Sequence, residues 1–137
     1  MQATRIVLDA SAFIRGIGAR EPDDEALGWI DAVNGERVEA FAPELLFAEV
    51  ANAMLVYVRA GRVLLRTAAS IVDDLLRLPI RSIAVRELAV PALQLAAERQ
   101  LSVYDACYLV LAEQANASLV TADRALAAAA TNGILLD

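Results

Sequence analysis

The sequence predicts a three-layer α/β/α sandwich around a mainly parallel sheet of four or five strands. Short apolar runs of β-favouring residues alternate along the chain with Ala- and Leu-rich stretches of helical spacing. The short runs lack polar alternation, so both strand faces should be covered, as in parallel sheets flanked by helices. The length of 137 residues is that of one domain, spanning 1–137, and can bury a core without disulfides or a structural metal.

Thr4 to Leu8 reads as a buried strand, and Asp23 to Val33 as a helix with Leu27, Trp29 and Ile30 on or near its apolar side. Val38 to Ala42 is a short strand. Pro43 suits the first turn of a helix that runs to Ala60 and stops at Gly61. Val63 to Leu78 is a further helix closed by Pro79, and Ile80 to Val85 is a strand. Pro91 sets the start of the next helix near Val90, with its end near Gln100. Val103 to Ala115 is helical, Ser118 to Thr121 a strand, Asp123 to Ala130 a helix and Ile134 to Leu136 a last strand. The run Ala125–Ala130 is a helix former rather than a disordered tract.

Composition closes several functional classes. Hydrophobic residues make up 58% and charged residues 22%, which excludes a disordered tail. No window holds the ~18 apolar residues of a membrane span. Asp9 interrupts the run Ile6-Val7-Leu8, so no secretory signal is expected and the cytoplasm is the expected location. The single cysteine, Cys107, excludes an internal disulfide framework and is read as a buried helical residue. Histidine is absent, which removes imidazole bases and the usual zinc and haem ligand sets. All 12 basic residues are arginine, so neither a P-loop lysine nor a Schiff-base lysine exists. Chemistry must come from carboxylates, hydroxyls, arginine and a bound cofactor.

Four acids stand isolated among apolar residues, unlike the solvated run Glu21-Pro22-Asp23-Asp24-Glu25. Asp9 ends the first strand, where parallel sheets bind ligands; a turn or helix N-cap would use the same residue. Glu49 follows Leu45 and Leu46 by four and three residues, on the inward side of its helix. Asp105 lies in Ser102-Val103-Tyr104-Asp105, which also fits a capping box. Asp123 follows a strand and opens a helix, the usual place of an N-cap. If the four converge, two carboxylates ~4 Å apart repel by about 4 kcal/mol at an effective dielectric of ~20. A cation or raised pKa values must then relieve the cluster. Oxygen-only ligands suit Mg²⁺ or Mn²⁺, which can activate water for attack on a phosphodiester without His or Lys.

The sequence resembles the PIN-domain family, and within it the VapC-like toxins of toxin–antitoxin pairs, over essentially its whole length. The resemblance rests on Val7-Leu8-Asp9-Ala10-Ser11, on Pro43 to Ala53 around Glu49, on Leu101 to Tyr108 around Asp105, and on Leu119-Val120-Thr121-Ala122-Asp123. It implies the strand order 3-2-1-4-5. It also implies a divalent-metal-dependent endoribonuclease with Asp9, Glu49, Asp105 and Asp123 as its acidic catalytic and metal-binding site. Ser11 and Thr121 would give hydroxyl support, and a small VapB-type antitoxin would be the partner. Many relatives carry an acid or a lysine just after the fourth acid; here Arg124-Ala125-Leu126 follow, a departure that bears on a second metal.

The formal charge of −6 opposes nucleic-acid binding, but bound Mg²⁺ would offset part of it, and the local field matters more than the net charge. Candidate phosphate contacts are Arg15 and Arg124, then Arg59 and Arg62, which equally suit a helix C-terminus beside Gly61. Gly16-Ile17-Gly18 lacks the third glycine of a dinucleotide fingerprint. Trp29, Tyr57 and Tyr108 read as core or interface residues rather than stacking platforms. An antitoxin helix could dock on Met54, Tyr57, Val58, Val63, Leu64 and Leu65, a surface that core packing or a homodimer could also use. Two other functions compete. An aspartyl-phosphate enzyme would use Asp9 as phosphoacceptor but needs a lysine this chain lacks. A non-catalytic PIN-fold binding module would not need four intact acids.

Overall fold

The computed structural model describes residues 4–18 and 21–137. Strand β1 (Arg5–Leu8) ends at Asp9, whose side chain accepts the Ala12 amide and so starts α1 (Ala10–Phe13). A π-helical turn (Ile14–Gly18) follows, then α2 (Asp24–Asn34), capped by Asp23. The sequence pattern missed α1 and the π-turn, because four residues are too few to show helical periodicity. Gly16 belongs to packing: a Cβ there would run into Ile30 of α2, so glycine lets the turn lie directly on that helix.

Strand β2 (Glu39–Pro43) leads into α3 (Leu45–Arg59), and α4 (Leu65–Arg77) packs beside it. Pro43 is therefore the last residue of a strand, paired with Ile83, and not the first turn of a helix. The turn between α3 and α4 uses Gly61 at φ +74°, a left-handed conformation that favours glycine. Strand β3 (Ile80–Ile83) is shorter than expected, because α5 (Val85–Arg99) begins at once and runs through Pro91. The expected start near Val90 is thus corrected. Leu88, Ala92 and Ala96 form a buried stripe at helical spacing, and this packing holds the helix across the proline, which lacks the N–H for the Glu87 carbonyl. The chain finishes with α6 (Val103–Gln114), β4 (Ser118–Thr121), α7 (Arg124–Ala129) and β5 (Gly133–Leu135).

The five strands form one parallel sheet in the order β3-β2-β1-β4-β5. Along β1, Ile6 and Leu8 pack against one core with α1 to α4, while Val7 packs against the other with α5, α6 and Leu126 of α7. Ala40, Ala42 and Val120 face the first core; Phe41 and Leu119 face the second. That period of two, with an apolar layer on each side, explains why the strands read as unbroken hydrophobic runs. In α6 every residue from Ala106 to Ala112 is buried, Cys107 among them.

Trp29 and Tyr57 pack half-buried against the first core. Of the surface expected to receive a partner helix, Met54 must be removed: it is 1% exposed and forms part of the core. Tyr57, Val58 and Val63 are half-buried, and Leu64 and Leu65 are exposed. No helix among the described residues is long and apolar enough to cross a membrane.

Candidate active site

The register pairs Leu8 with Val120, so the residues that follow them, Asp9 and Thr121, emerge side by side at the C-terminal edge of the sheet. Asp9 is 6% exposed. Its Oδ1 accepts the Ser11 hydroxyl at 2.7 Å and the Ala12 amide at 2.9 Å, and its Oδ2 accepts the Thr121 hydroxyl at 2.5 Å. The same two hydroxyl oxygens take the amides of the next loop, Ser11 from Ala122 at 2.9 Å and Thr121 from Asp123 at 3.0 Å. Ser11 and Thr121 therefore fasten the two strand ends together and place Asp123. Asp123 is exposed and caps α7 by accepting the Leu126 amide at 3.1 Å.

Glu49 projects from the second turn of α3, half-buried between the core residues Leu46 and Val50 of that helix. Asp105 is in the first turn of α6. There Ser102 is the cap, accepting the Asp105 amide at 3.0 Å. The reciprocal side-chain bond of a capping box is not formed, so the Asp105 carboxylate is left out of the helix terminus.

Charge links the four acids in a ring: Asp123 acts on Asp9 and Asp105, and these two act on Glu49. Burial is the main cause that raises the Asp9 carboxyl, and the charge of Asp123 adds to it against the lowering hydrogen bonds from Thr121, Ala12 and Ser11. Burial likewise raises Glu49, helped by Asp105 and Asp9 and opposed by the Tyr108 hydroxyl. Asp105 is raised by burial and by Asp123, against the Ser102 contact. The three ion pairs found among the described residues are Arg5–Glu39, Arg15–Asp23 and Arg77–Asp73, none of which involves the ring. A carboxylate set without a basic partner has the donor chemistry of a Mg²⁺ or Mn²⁺ site. No three of its carboxylates are gathered closely enough to enclose an ion as they stand, among the described residues. Ligation of one ion by several of them therefore calls for bridging water or side-chain movement.

Tyr108 was expected to be a core or interface residue, and it is buried, yet its hydroxyl donates to Glu49 Oε1. The signal for that contact is its place three residues after Asp105, on the same face of α6. Arg15 donates to the Leu136 carbonyl at 3.2 Å and lies 3.8 Å from Asp23. Arg124 is exposed at the start of α7, next to Asp123. Arg59 is ten residues beyond Glu49 on α3, about 15 Å along the helix axis. Arg62, in the α3–α4 turn, lines a groove with Tyr57, Thr67 and Ile71.

The PIN domain family model matches residues 6–132. PAE2754 from Pyrobaculum aerophilum has 25% identity and a TM-score of 0.72, over 96% of this chain and 83% of that one. VapBC2 from Rickettsia felis, bound to a DNA fragment from its promoter, has 14% identity and a TM-score of 0.69, over 97% and 99%. VapC20 from Mycobacterium tuberculosis, a toxin that cleaves the Sarcin-Ricin loop, has 18% identity and a TM-score of 0.64, over 90% and 94%. No curated protein matches the sequence significantly.

Proposed function

The chain belongs to the PIN domain family, and from that premise we propose that it is a divalent-metal-dependent endoribonuclease. Asp9, Glu49, Asp105 and Asp123 would hold Mg²⁺ or Mn²⁺ directly or through water. The observation that carries this reading is the set of four carboxylates at one sheet edge, in which Asp123 acts on Asp9 and Asp105, these two act on Glu49, and none is paired with arginine among the described residues.

When bound, the cation supplies a Lewis acid that acidifies water and stabilises charge on a phosphodiester. Ser11 and Thr121 aim the Asp9 carboxylate, and their hydrogen bonds favour its charged form against the cost of burial. Asp9, Glu49 and Asp105 have raised proton affinity, which suits any of them to take a proton from an attacking water. Arg124, exposed beside Asp123, is the arginine best placed for an RNA phosphate. Arg15 is already engaged by Leu136 and Asp23.

The same proposal casts the protein as the toxin of a toxin–antitoxin pair, a reading supported by its likeness to VapBC2 and VapC20. Its partner would be a small VapB-like antitoxin. A groove of about 400 Å³ between α3 and α4 has the half-buried Val58 and Val72 among its lining residues and the exposed Leu65 and Leu76 at its surface. Such a groove suits the apolar side of an amphipathic helix. The test is cleavage of a synthetic RNA by the purified protein. Activity is expected with Mg²⁺ or Mn²⁺, is lost on chelation, and is lost in Asp9→Asn. Cleavage that persists in chelator would refute the metal-dependent mechanism. In cells, expression without antitoxin should arrest growth and Asp9→Ala should relieve the arrest; equal arrest by the variant would refute the toxin assignment.

A further inference from the structure

Tyr108 stands one helical turn after Asp105 and is 2% exposed. A buried phenol needs an acceptor for its O–H, and here the acceptor is Glu49 Oε1. The two residues are 59 apart in sequence. They also come from different layers: α3 packs on the first core and α6 on the second, on opposite faces of the sheet. The bond therefore crosses over the C-terminal edge of the sheet, where β1 and β4 deliver Asp9 and Asp123. Packing alone does not call for it, because phenylalanine would fill the same space without a polar atom to satisfy. Glu49 has no other side-chain hydrogen bond among the described residues, so one of its oxygens is fixed and the other is free. A glutamate on a helix otherwise has three torsions to order.

We propose that Tyr108 is a positioning residue, whose hydroxyl holds Glu49 by Oε1 and leaves the second carboxylate oxygen available to the cation. This inference rests on the metal-site reading given above. Outer partners of metal ligands typically contribute 10–100-fold to metal affinity, and a bond that orders a long side chain belongs to that class.

The test is a double-mutant cycle on Mn²⁺ affinity, measured by calorimetry on the whole chain. It uses wild type, Tyr108→Phe, Glu49→Gln and the double variant, with Asp9→Asn as a separate control. Tyr108→Phe should weaken Mn²⁺ binding about tenfold. In the Glu49→Gln background the same change should alter affinity less than about twofold, because the partner's role is already gone. Denaturation in chelator should show the Phe variant folded; if it is not, Tyr108→Met supplies the same comparison without the hydroxyl. Wild-type affinity in Tyr108→Phe, or an equal loss in both backgrounds, would overturn the proposal. If Asp9→Asn weakens Mn²⁺ binding while Tyr108→Phe does not, the positioning role alone falls. If wild type does not bind Mn²⁺, the metal site falls and the positioning role with it.

Discussion

Both oxygens of Asp9 are engaged within the fold, one by Ser11 and the Ala12 amide, the other by Thr121. Asp9 thus caps α1, and in the proposed function the same carboxylate serves the cation. Asp105 is different: Ser102 caps the helix, and the acid's own side chain is left out of the terminus. Asp105→Asn should accordingly leave folding in chelator intact or improved, since it removes one charge from the ring. Its RNA cleavage at fixed metal should fall at least ~10²-fold. Denaturant midpoints paired with cleavage rates check this, and near-normal cleavage would reduce the site to three acids. Ser102→Ala should show the reverse pattern, losing about 1 kcal/mol of stability with the cap. The positions of Asp9 and Asp123 were legible because a strand end followed by a helix start is a local pattern. The bond between Tyr108 and Glu49 was not, because nothing local reports a pairing across 59 residues and two layers.

Helices were legible where their apolar stripe was long, and misread where a single residue type was given too much authority. Proline marked a helix start at two places, and both were wrong. Pro43 closes β2, and Pro91 lies within α5. In α5 the stripe Leu88, Ala92, Ala96 outweighs the missing hydrogen bond. Pro91→Ala should then restore a donor to the Glu87 carbonyl and raise stability. The interior cost of proline, about 3 kcal/mol, is offset in part by its restriction of the unfolded chain, up to about 1 kcal/mol. An increase of roughly 2–3 kcal/mol in denaturant unfolding is expected; a decrease would mean that packing around α5 requires the proline ring. The strands needed no such correction beyond a residue or two at their ends, because burial on both faces gives them continuous apolar runs.

At the scale of the whole molecule, the fold gathers charge that it does not neutralise. Asp9, Glu49 and Asp105 all bind protons more tightly in the folded chain than in the unfolded one. For acids raised in this way, the stabilising contribution is complete below the ordinary carboxylate range and is lost as pH rises through the folded values. Metal-free protein should therefore gain stability from these groups as pH falls from neutral toward that range, and Asp105→Asn should flatten the dependence. Denaturant titrations in chelator at several pH values check this; a wild-type curve as flat as that of Asp105→Asn would contradict it. The sheet order and the presence of four acids were legible through the family resemblance. That no three carboxylates among the described residues already enclose an ion was beyond the sequence, since it depends on side-chain positions at the meeting of four separate segments.

The claim that these acids form a site for a divalent cation is tested most directly by the thermal midpoint of the isolated protein, titrated with Mn²⁺ and compared with that of Asp9→Asn. At a hundredfold excess over Kd, binding to the folded state contributes about 2.7 kcal/mol, a rise of several degrees for a domain of this size. The wild-type midpoint should rise by that order and the variant's much less. A wild-type midpoint that ignores millimolar Mn²⁺ and Mg²⁺, or a variant that responds as strongly as wild type, would contradict the assignment.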